Sequence, residues 1–566
     1  MLTRKRSITV VICALLITSL AACGGGAQTA NTEPVQNQTQ AATQAATEAT
    51  TEAATQNTSA NTTEAVAADP SDKPGNDETP STYLAAEKYS FNAVARKRGI
   101  NGDFEEMILL KNLEEKTNIH INWEAVPESN YDEKKNLILA SGDLPDFFFG
   151  PYALSNGDLI TYGSQGVFIA LEDLIEQYAS NVVKVYTENP DFKSLLYAPD
   201  GHIYSTGKVI SDKSRFCPGN MFMYKPWLDE LGLPVPDTID DLYNTLKAFK
   251  ALGSNIIPMT CLFFDGTYGL CNLFGSFGRI DTGDHIVVEN DRVVFSAIEP
   301  EFKTSIEYFR QFFIEGLIDE ESFTQDQKQW KSKGATEEVT LGCTISWNDF
   351  DVFADRAGDY ITVPPLEGPD GYRICLKVSS PGVNQTGFTI TSVCSDPILA
   401  LKWVDEFYDP ITTFEGFYGP IGVNLYQKDD GSLDYLPTPE GLTYDEFRFM
   451  HTPCDVPATI FDYQWGDILP LAANAQKKVA EVEALYLPYA TQGNLPPLLY
   501  SLEDTERIQI LAPDINNFVK EKEATWLLEG GIEDEWEAYV ERLHQMNVDE
   551  LIGIYQRNYD QYLSNN

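Results

Sequence analysis

The acidic residues are the most numerous chemically active side chains of this chain, and two of them could in principle hydrolyse a glycosidic bond. Asp and Glu together number 85. A glycosidase needs two carboxyl groups about 5–5.5 Å apart for retention or roughly 6.5–9.5 Å apart for inversion. With so many carboxylates any pair can be nominated, and the sequence has no H-E-x-x-H, G-x-S-x-G, Walker-type or dinucleotide-binding motif. A glycoside hydrolase therefore stays an alternative without a nominated pair.

Histidine and cysteine, the usual metal ligands, are spaced in ways that predict no metal site. The histidines are scattered at His120, His202, His285, His451 and His544. Beyond the first 23 residues the cysteines, none in a C-x-x-C pair, are Cys217, Cys261, Cys271, Cys343, Cys375, Cys394 and Cys454. The acidic run at 429–434 lacks the alternating acids and final Glu of a calcium loop, so it predicts a hairpin turn. We expect no cofactor, no metal, and free, buried thiols.

Cys23 is placed for a different reaction, acylation of its thiol. Three cations at 4–6 precede an apolar run at 8–20 that is too short to span a bilayer comfortably, as in an export signal. The run ends in Leu-Ala-Ala directly before Cys23, which is similar to a bacterial lipobox. We expect residues 1–22 to be a lipoprotein signal peptide and Cys23 to carry the lipid that holds the chain at the membrane. A plain cleaved signal with an incidental cysteine is the alternative.

Residues 23–82 are expected to form a disordered tether behind that anchor. Residues 24–82 contain no Leu, Ile, Met, Phe, Trp or Tyr, so they cannot bury enough apolar surface to offset the entropy of ordering. A flexible coil of about 60 residues spans roughly 40 Å. The folded part should therefore begin near Tyr83, at some distance from the membrane.

The net charge of the chain excludes one class of partner. Its formal value is −45 at pH 7, and a surface this acidic repels the phosphate backbone of nucleic acids. No run of about twenty apolar residues follows the signal, so no further membrane segment is expected.

Alternating strand and helix patterns near the start of the folded part predict a mostly parallel sheet. Strand patterns lie at 88–94, 119–123 and 146–149, separated by helix patterns at Phe104–Thr117 and Asn130–Ala140. Ligands on such sheets bind beyond the carboxyl ends of the strands, so the loops at 95–103 and 149–156 are expected to line a cleft. Tyr152, just past the end of the third strand pattern, is therefore a candidate ligand contact, and Asp146, at its start, is a weaker one.

Short blocks along the folded part resemble a known family. They are SGDLPD at 141–146, APDGHIY at 198–204, WLDELGLPVP at 227–236, FFDGTYG at 263–269, EGLID at 315–319, EWEAYVERL at 535–543 and IYQRNYDQY at 554–562. With them, the chain from Tyr83 to its C-terminus resembles the extracellular solute-binding proteins of bacterial carbohydrate ABC importers. This large group includes the maltose-binding-like receptors, and the likeness is to its long Gram-positive lipoprotein branch.

The resemblance implies a two-lobed α/β fold of the type II periplasmic-binding-protein kind, each lobe a mixed, mostly parallel sheet flanked by helices. We expect lobe 1 to comprise 83–207 and 388–450, and lobe 2 to comprise 208–387 and 451–566. Hinge crossings are expected near 206–211, near 387–392 and after about residue 450.

The same resemblance implies a function. It implies a monomeric receptor, not an enzyme, on the extracellular face of the cell membrane. Such a receptor captures a carbohydrate, expected to be an oligosaccharide, by closing around it, and delivers it to the permease subunits of an ABC importer. A cell-wall adhesin would explain the anchor and the tether but not the βαβ units.

A sugar-binding cleft needs aromatic planes above and below the sugar ring, and carboxylate, amide or guanidinium groups at its edge. Trp347, with Asn348 and Asp349, ends a predicted strand where the resemblance implies a cleft tryptophan, so these three are candidates, with a core position as the alternative. A second group, Phe264, Asp265 and Tyr268, lies at a turn after an apolar run, where an ordinary capped turn is the alternative.

Further candidates come from aromatic spacing and from strand position. Tyr463 and Trp465 are two residues apart and would face one way on an extended segment, although core packing is the competing interpretation. Asn220 precedes the first predicted strand of lobe 2, where that strand would face the cleft.

Overall fold

The computed structural model describes residues 84–442 and 444–565. The expected signal peptide, the lipidated Cys23 and the tether lie outside the described residues, so they stay predictions. In the described part no helix is long and apolar enough to cross a membrane.

The strands and helices alternate along most of the chain. The strands are β1 (Tyr89–Lys97), β2 (Ile119–Pro127), β3 (Phe147–Phe149), β4 (Lys208–Ile210), β5 (Asn220–Tyr224), β6 (Ile257–Thr260), β7 (Ile286–Glu289), β8 (Arg292–Phe295), β9 (Leu341–Ser346), β10 (Tyr360–Val363), β11 (Cys375–Lys377), β12 (Val383–Asn384), β13 (Phe388–Ile390), β14 (Leu425–Gln427), β15 (Leu433–Tyr435), β16 (Thr459–Ile460) and β17 (Ala490–Gln492). The helices are α1 (Ile108–Thr117), α2 (Tyr131–Ser141), α3 (Asn156–Ser164), α4 (Glu172–Tyr178), α5 (Ser180–Glu188), α6 (Pro190–Ser194), α7 (Lys225–Leu231), α8 (Ile239–Lys250), α9 (Pro300–Ile314), α10 (Gln327–Gly334), α11 (Phe350–Phe353), α12 (Pro397–Asp405), α13 (Pro410–Tyr418), α14 (Tyr444–Phe449), α15 (Ala473–Glu481), α16 (Leu502–Leu528), α17 (Ile532–Gln545) and α18 (Val548–Ser564).

The first sheet has the strand order β13-β3-β1-β2. β1 runs parallel to both β2 and β3, whereas β13 is antiparallel to β3. The βαβ prediction is therefore confirmed for β1, β2 and β3. One face of this sheet packs on α12. The ring centroid of Trp403 lies 5.6 Å from that of Phe147 and 5.6 Å from that of Phe149. These buried side chains form what we call the first core.

The second sheet has the order β10-β5-β9-β6. β6 and β9 are parallel, and β5 runs antiparallel to its neighbours β9 and β10. Each of these two sheets thus has three strands in one direction and one in the other, as expected for mixed, mostly parallel sheets. Side chains of this sheet, α8, α9 and the C-terminal helices form the second core, with Phe249, Phe309 and Trp526 fully buried.

A short sheet of order β12-β4-β16 lies where the chain passes between elements of the two larger sheets. β4 pairs with β12 antiparallel and with β16 parallel. Val383 of β12 packs against both the first and the second core. These three strands lie at or near the expected hinge crossings, while the exact lobe boundaries stay predictions.

Local expectations are mostly confirmed, with one correction. The predicted helix Phe104–Thr117 is wrong in its first turn, because Met107 has extended backbone angles and α1 begins only at Ile108. The run at 429–434 forms the turn of the β14–β15 hairpin, as expected. The seven cysteines of the described part are free, and all but the half-buried Cys394 are buried.

Candidate functional site

A cavity of about 640 Å³ lies between side chains that pack on the first core and side chains of the second sheet. Tyr418, Tyr435 and Trp465 come from the first side and Phe222 of β5 from the second. Its lining residues are Asp212, Ser214, Arg215, Phe222, Trp347, Asn348, Asp349, Phe350, Asp351, Ala357, Tyr418, Tyr435, Trp465, Leu471, Ala472, Ala475, Lys477, Lys478 and Glu481.

Trp347, Asn348 and Asp349 enter this cavity directly after β9. The turn is held by its own polar groups, because the Asn348 side-chain oxygen accepts the N–H of Asp351 at 2.8 Å. The Asp349 carboxylate accepts the N–H of Phe350 at 2.8 Å and pairs with Lys477. The half-buried Trp347 ring therefore lies in a hydrogen-bonded turn and belongs to neither of the two cores.

Trp465 lines the opposite side of the cavity. Its indole N–H donates to the carbonyl of Ser211 at 2.8 Å, and its ring meets Tyr418 edge-on at 5.5 Å between centroids. Because indole rings present apolar faces and one donor, a tryptophan fixed in this way can stack on a ligand without losing its own hydrogen bond.

Positive charge is concentrated next to Trp347. The Lys478 ammonium lies 3.5 Å from the centroid of the Trp347 ring and donates to the Trp347 carbonyl. The Arg215 guanidinium carbon lies 5.8 Å from the same centroid. Burial lowers the pKa of Lys478 to about 7, an effect that nearby Asp212 opposes. These are the contacts that cation–π attraction favours, but they leave a charged group in a largely dehydrated place.

Negative charge at the cavity is mostly compensated or exposed. Asp212 caps a short turn by accepting the N–H of Ser214 at 2.8 Å. Glu481 accepts the hydroxyl of Thr362 at 2.9 Å and lies 3.9 Å from Lys477. The arrangement offers two indole rings, hydrogen-bond donors and acceptors on one concave surface. Across residues 84–442 and 444–565 no group of three or more His, Cys, Asp or Glu side chains is placed to hold a metal ion.

Of the candidates predicted from sequence, the structure brings Trp347, Asn348, Asp349 and Trp465 together around the cavity. Their contact with a ligand stays a prediction. Tyr463 is not part of the same platform, because residues 462–464 form a 3₁₀ turn and not the extended segment that was expected. Its exposed ring instead stacks on Phe461, and its hydroxyl accepts from Asn189 at 3.1 Å.

The group at 264–268 lies outside the cavity lining. The Asp265 carboxylate accepts the N–H groups of Thr267 at 2.8 Å and Tyr268 at 3.0 Å, which closes a turn. Phe264 packs against Phe263 with centroids 4.9 Å apart, and Tyr268 packs against Trp330 with centroids 5.1 Å apart. The alternative of an ordinary capped turn therefore describes these residues better.

The remaining candidates also lie apart from the cavity lining. Asn220 is 2% exposed at the start of β5 and donates to the carbonyl of Cys217 at 3.3 Å. Asp146 accepts the N–H of Asn92 at 2.8 Å and so ties the start of β3 to β1. Tyr152 does lie past the end of β3, with a positive φ of 70° and half of its surface exposed. The loops at 95–103 and 149–156 do not contribute to the lining, contrary to expectation.

Several lining residues were missed by the sequence argument. Arg215 and Asp212 follow β4, Tyr418 ends α13, and Lys477 and Lys478 lie on α15. The only local signal was the adjacent lysine pair at 477–478 in a strongly acidic chain.

Comparisons with known proteins agree with this architecture. The family model described as bacterial extracellular solute-binding protein matches residues 83–411. The fructooligosaccharide ABC transporter substrate-binding protein FusA of Streptococcus pneumoniae is 33% identical over 482 residues, which covers 82% of this chain and 88% of FusA.

Solved structures show the same relationship. The structure of FusA in complex with kestose has a TM-score of 0.68 and 30% identity, covering 84% of this chain and all of that one. The structure of an HMO-binding ABC-transporter-associated solute-binding protein from Bifidobacterium longum infantis has a TM-score of 0.72 at 23% identity, covering 84% of this chain and 99% of that one. Because the identity is only 23%, the second likeness supports a shared fold and nothing more.

Proposed function

This chain belongs to the bacterial extracellular solute-binding proteins, and its relatives are substrate-binding proteins rather than enzymes. We propose that it captures an extracellular oligosaccharide for an ABC importer. The observation that carries the proposal is the cavity of about 640 Å³, lined by Trp347 on one side and Trp465 on the other. Its volume falls in the usual range of roughly 300–1,000 Å³ for small-molecule sites.

The lining suits a sugar for a specific chemical reason. Sugar rings have C–H groups on their faces and hydroxyls around their rims. Indole faces match the former, and the charged and amide groups beside them match the latter. FusA, the relative with 33% identity, is named for fructooligosaccharides, which supports a carbohydrate as the ligand class.

Capture proceeds by hinge closure about β4, β12 and β16. A ligand held by side chains from both sides of the cavity binds the closed form more tightly than the open form, so it shifts the equilibrium towards closure. The importer subunits then distinguish the closed receptor from the open one. The receptor works as a monomer and releases the sugar unaltered.

The chain works at the outer face of the cell membrane of a Gram-positive bacterium. The lipobox-like sequence before Cys23 supports a lipid anchor there, and the polar tract at 24–82 supports a flexible spacer. The distance between membrane and receptor follows from the length of that spacer.

A panel of oligosaccharides tests the proposal. The chain from residue 23 onward, with Cys23→Ser to prevent acylation, is screened by ligand-induced thermal shift and titrated by calorimetry, with kestose among the sugars. We expect at least one oligosaccharide to bind, with affinity lost in Trp347→Ala and kept in Tyr372→Ala, which alters an exposed ring outside the cavity lining. Chromatographic detection of shortened glycans would favour the glycoside hydrolase instead. Oligosaccharide affinity unchanged in Trp347→Ala would show that the binding site is not this cavity.

A further inference from the structure

In the part of the chain that the structure describes, two buried lysines at or near the cavity, Lys478 and Lys208, lack the carboxylate partners that other buried cations of this protein have, and the partly exposed Arg215 has only Asp212, at 3.6 Å. Lys478 lines the cavity and is 7% exposed, and Arg215 lines it next to Trp347. Lys208 of β4 is 8% exposed, and its ammonium lies 5.2 Å from the centroid of Phe417, the neighbour in sequence of a lining tyrosine.

The hydrogen bonds of these three side chains are incomplete. Within the described residues neither Lys208 nor Lys478 has a carboxylate oxygen within 4.0 Å of its ammonium. The bond of Lys478 goes to a backbone carbonyl, that of Trp347. The Nε of Arg215 is buried without a hydrogen-bond partner, and the nearest oxygen of Asp212 is 3.6 Å away.

Lys135 shows what this chain does elsewhere with a buried ammonium. It is 7% exposed, as Lys478 is, but it donates to the Asp158 carboxylate at 2.7 Å. Arg279 is likewise surrounded by three glutamates. With 85 acidic and 40 basic residues, carboxylates are not scarce. Leaving ammonium groups dehydrated and unpaired costs stability, so their retention at one cavity points to a ligand that compensates them.

The electrostatic neighbourhood agrees with that interpretation. Burial, helped by Arg98 and Arg215 and opposed by Asp455 and Cys454, lowers the pKa of Lys208 to about 8. Of the charged groups that face Lys478, Asp212, Cys217 and Asp351 favour its charged form and Arg215 disfavours it, while burial dominates. Asp455 is itself paired with Arg98, and Asp349 with Lys477. Within the described residues Lys478 therefore has no ion-pair partner of its own, although Asp212 and Asp351 also line the cavity, and a ligand carboxylate would supply one.

We propose that the oligosaccharide bound in this cavity carries a carboxylate, as a uronate does, and that Lys478 and Arg215 bind that group. This inference rests on the proposed function and adds the chemical class of the sugar. The guanidinium supplies a planar fork of donors, Lys478 supplies a point charge, and Lys208 adds positive potential from behind the lining. Trp347 and Trp465 stack on the sugar rings beside the carboxylate.

A matched pair of ligands tests the charge directly. Trigalacturonate and its fully methyl-esterified form share one sugar skeleton and differ in charge. Titration calorimetry at pH 6 and 0.15 M NaCl should show the acid binding at least tenfold more tightly than the ester. Between pH 6 and pH 9 the affinity for the acid should fall, because Lys478 loses its proton, while that for the ester should stay level.

Protein variants separate binding from folding. Lys478→Met should remove the preference for the acid yet leave the melting temperature equal or higher, because it deletes an unpaired buried charge. Lys134→Met removes the same charge from the surface, where Lys134 pairs with Glu124, and should keep the preference. A melting temperature lowered in Lys478→Met would mark that lysine as structural and overturn its role.

The outcomes distinguish this inference from the proposed function. Equal affinity for acid and ester, or tight binding of kestose without binding of any uronate, overturns the inference and leaves carbohydrate capture standing. If no neutral or acidic oligosaccharide of the panel binds, both the inference and the proposed function are overturned.

Discussion

Two turns of the second sheet have nearly the same local chemistry and different environments. The turn at 347–349 follows β9 and the turn at 263–268 follows β6, and β6 and β9 are adjacent parallel strands. Each turn places an aromatic ring near an aspartate. Trp347 lines the cavity, whereas Phe264 packs against Phe263 and Phe323.

The difference lies in what covers each turn. The Trp347 turn meets Arg215 and α15, where the Lys478 ammonium lies against the ring and the cavity lies beside them. The Phe264 turn lies on α16, with Lys520 5.5 Å from the Phe264 ring and a buried group containing His285 and Glu523 beneath it. A ring and an acid after a strand therefore indicate a site only when no other element fills the space above them.

The largest expected effect is at Trp330, the residue on which Tyr268 packs. Trp330 is fully buried, and its indole N–H donates to Thr344 at 2.9 Å. Trp330→Ala should lower the free energy of unfolding by about 3–5 kcal/mol, measured by chemical denaturation. Ligand affinity of the folded fraction should be unchanged. A loss of affinity with little loss of stability would show that the 263–268 turn belongs to the site after all.

The second effect concerns pH and the buried group beneath Phe264. Burial raises the pKa of Glu523 to about 7, and Asp281 raises that of His285 to about 9 although burial alone lowers it. Both groups hold a proton more tightly in the folded state. Their stabilisation is therefore fully present at low pH and is lost as pH rises through about 7 and then about 9. Each proton contributes at most roughly 1.4 kcal/mol per pH unit.

Melting temperatures between pH 5 and pH 9 measure this effect. We expect a decline between pH 5 and pH 7, and in Glu523→Gln this decline should disappear. Above pH 7 the lowered pKa values of Lys478 and Lys208 make stability rise with pH and oppose the loss from His285. A stability that rises between pH 5 and pH 7 would contradict the assignment of the Glu523 proton.

The third effect is at Trp347, where we expect the opposite of the result at Trp330: a loss of affinity with little loss of stability. Trp347→Ala should weaken oligosaccharide binding at least tenfold, about 1.4 kcal/mol, and change the free energy of unfolding by less than about 1 kcal/mol. Calorimetry and denaturation of the same preparation measure both quantities. If the free energies of unfolding and of binding fell by similar amounts, Trp347 would be a core residue and not a ligand contact.

The smallest effect is at Asp265. Asp265→Ala removes the acceptor of two backbone N–H groups in a partly exposed turn, so the free energy of unfolding should fall by about 1 kcal/mol. Binding affinity should not change. Asp349→Ala is the comparison variant, because it should alter affinity through the Lys477 pair at the cavity.

Much of the fold could be predicted because its signals are local. The order of strand, helix and strand from β1 to β3 and the 429–434 hairpin follow from periodicity and from turn chemistry within a few residues. Tyr463 shows the limit of such reasoning. A two-residue spacing predicts a shared face only on an extended segment, and the 3₁₀ turn at 462–464 rotates the two rings apart.

The sequence by itself determined the elements, the acidic charge and the aromatic candidates, because each depends on neighbouring residues. Tertiary structure alone decided which candidates share a cavity and which cations remain unpaired there. Residues 212–215, 347–351, 418–435 and 465–481 are distant in sequence and meet only when the two cores and the β12-β4-β16 sheet are assembled. Burial and pairing are properties of that assembly, so no local pattern can encode them.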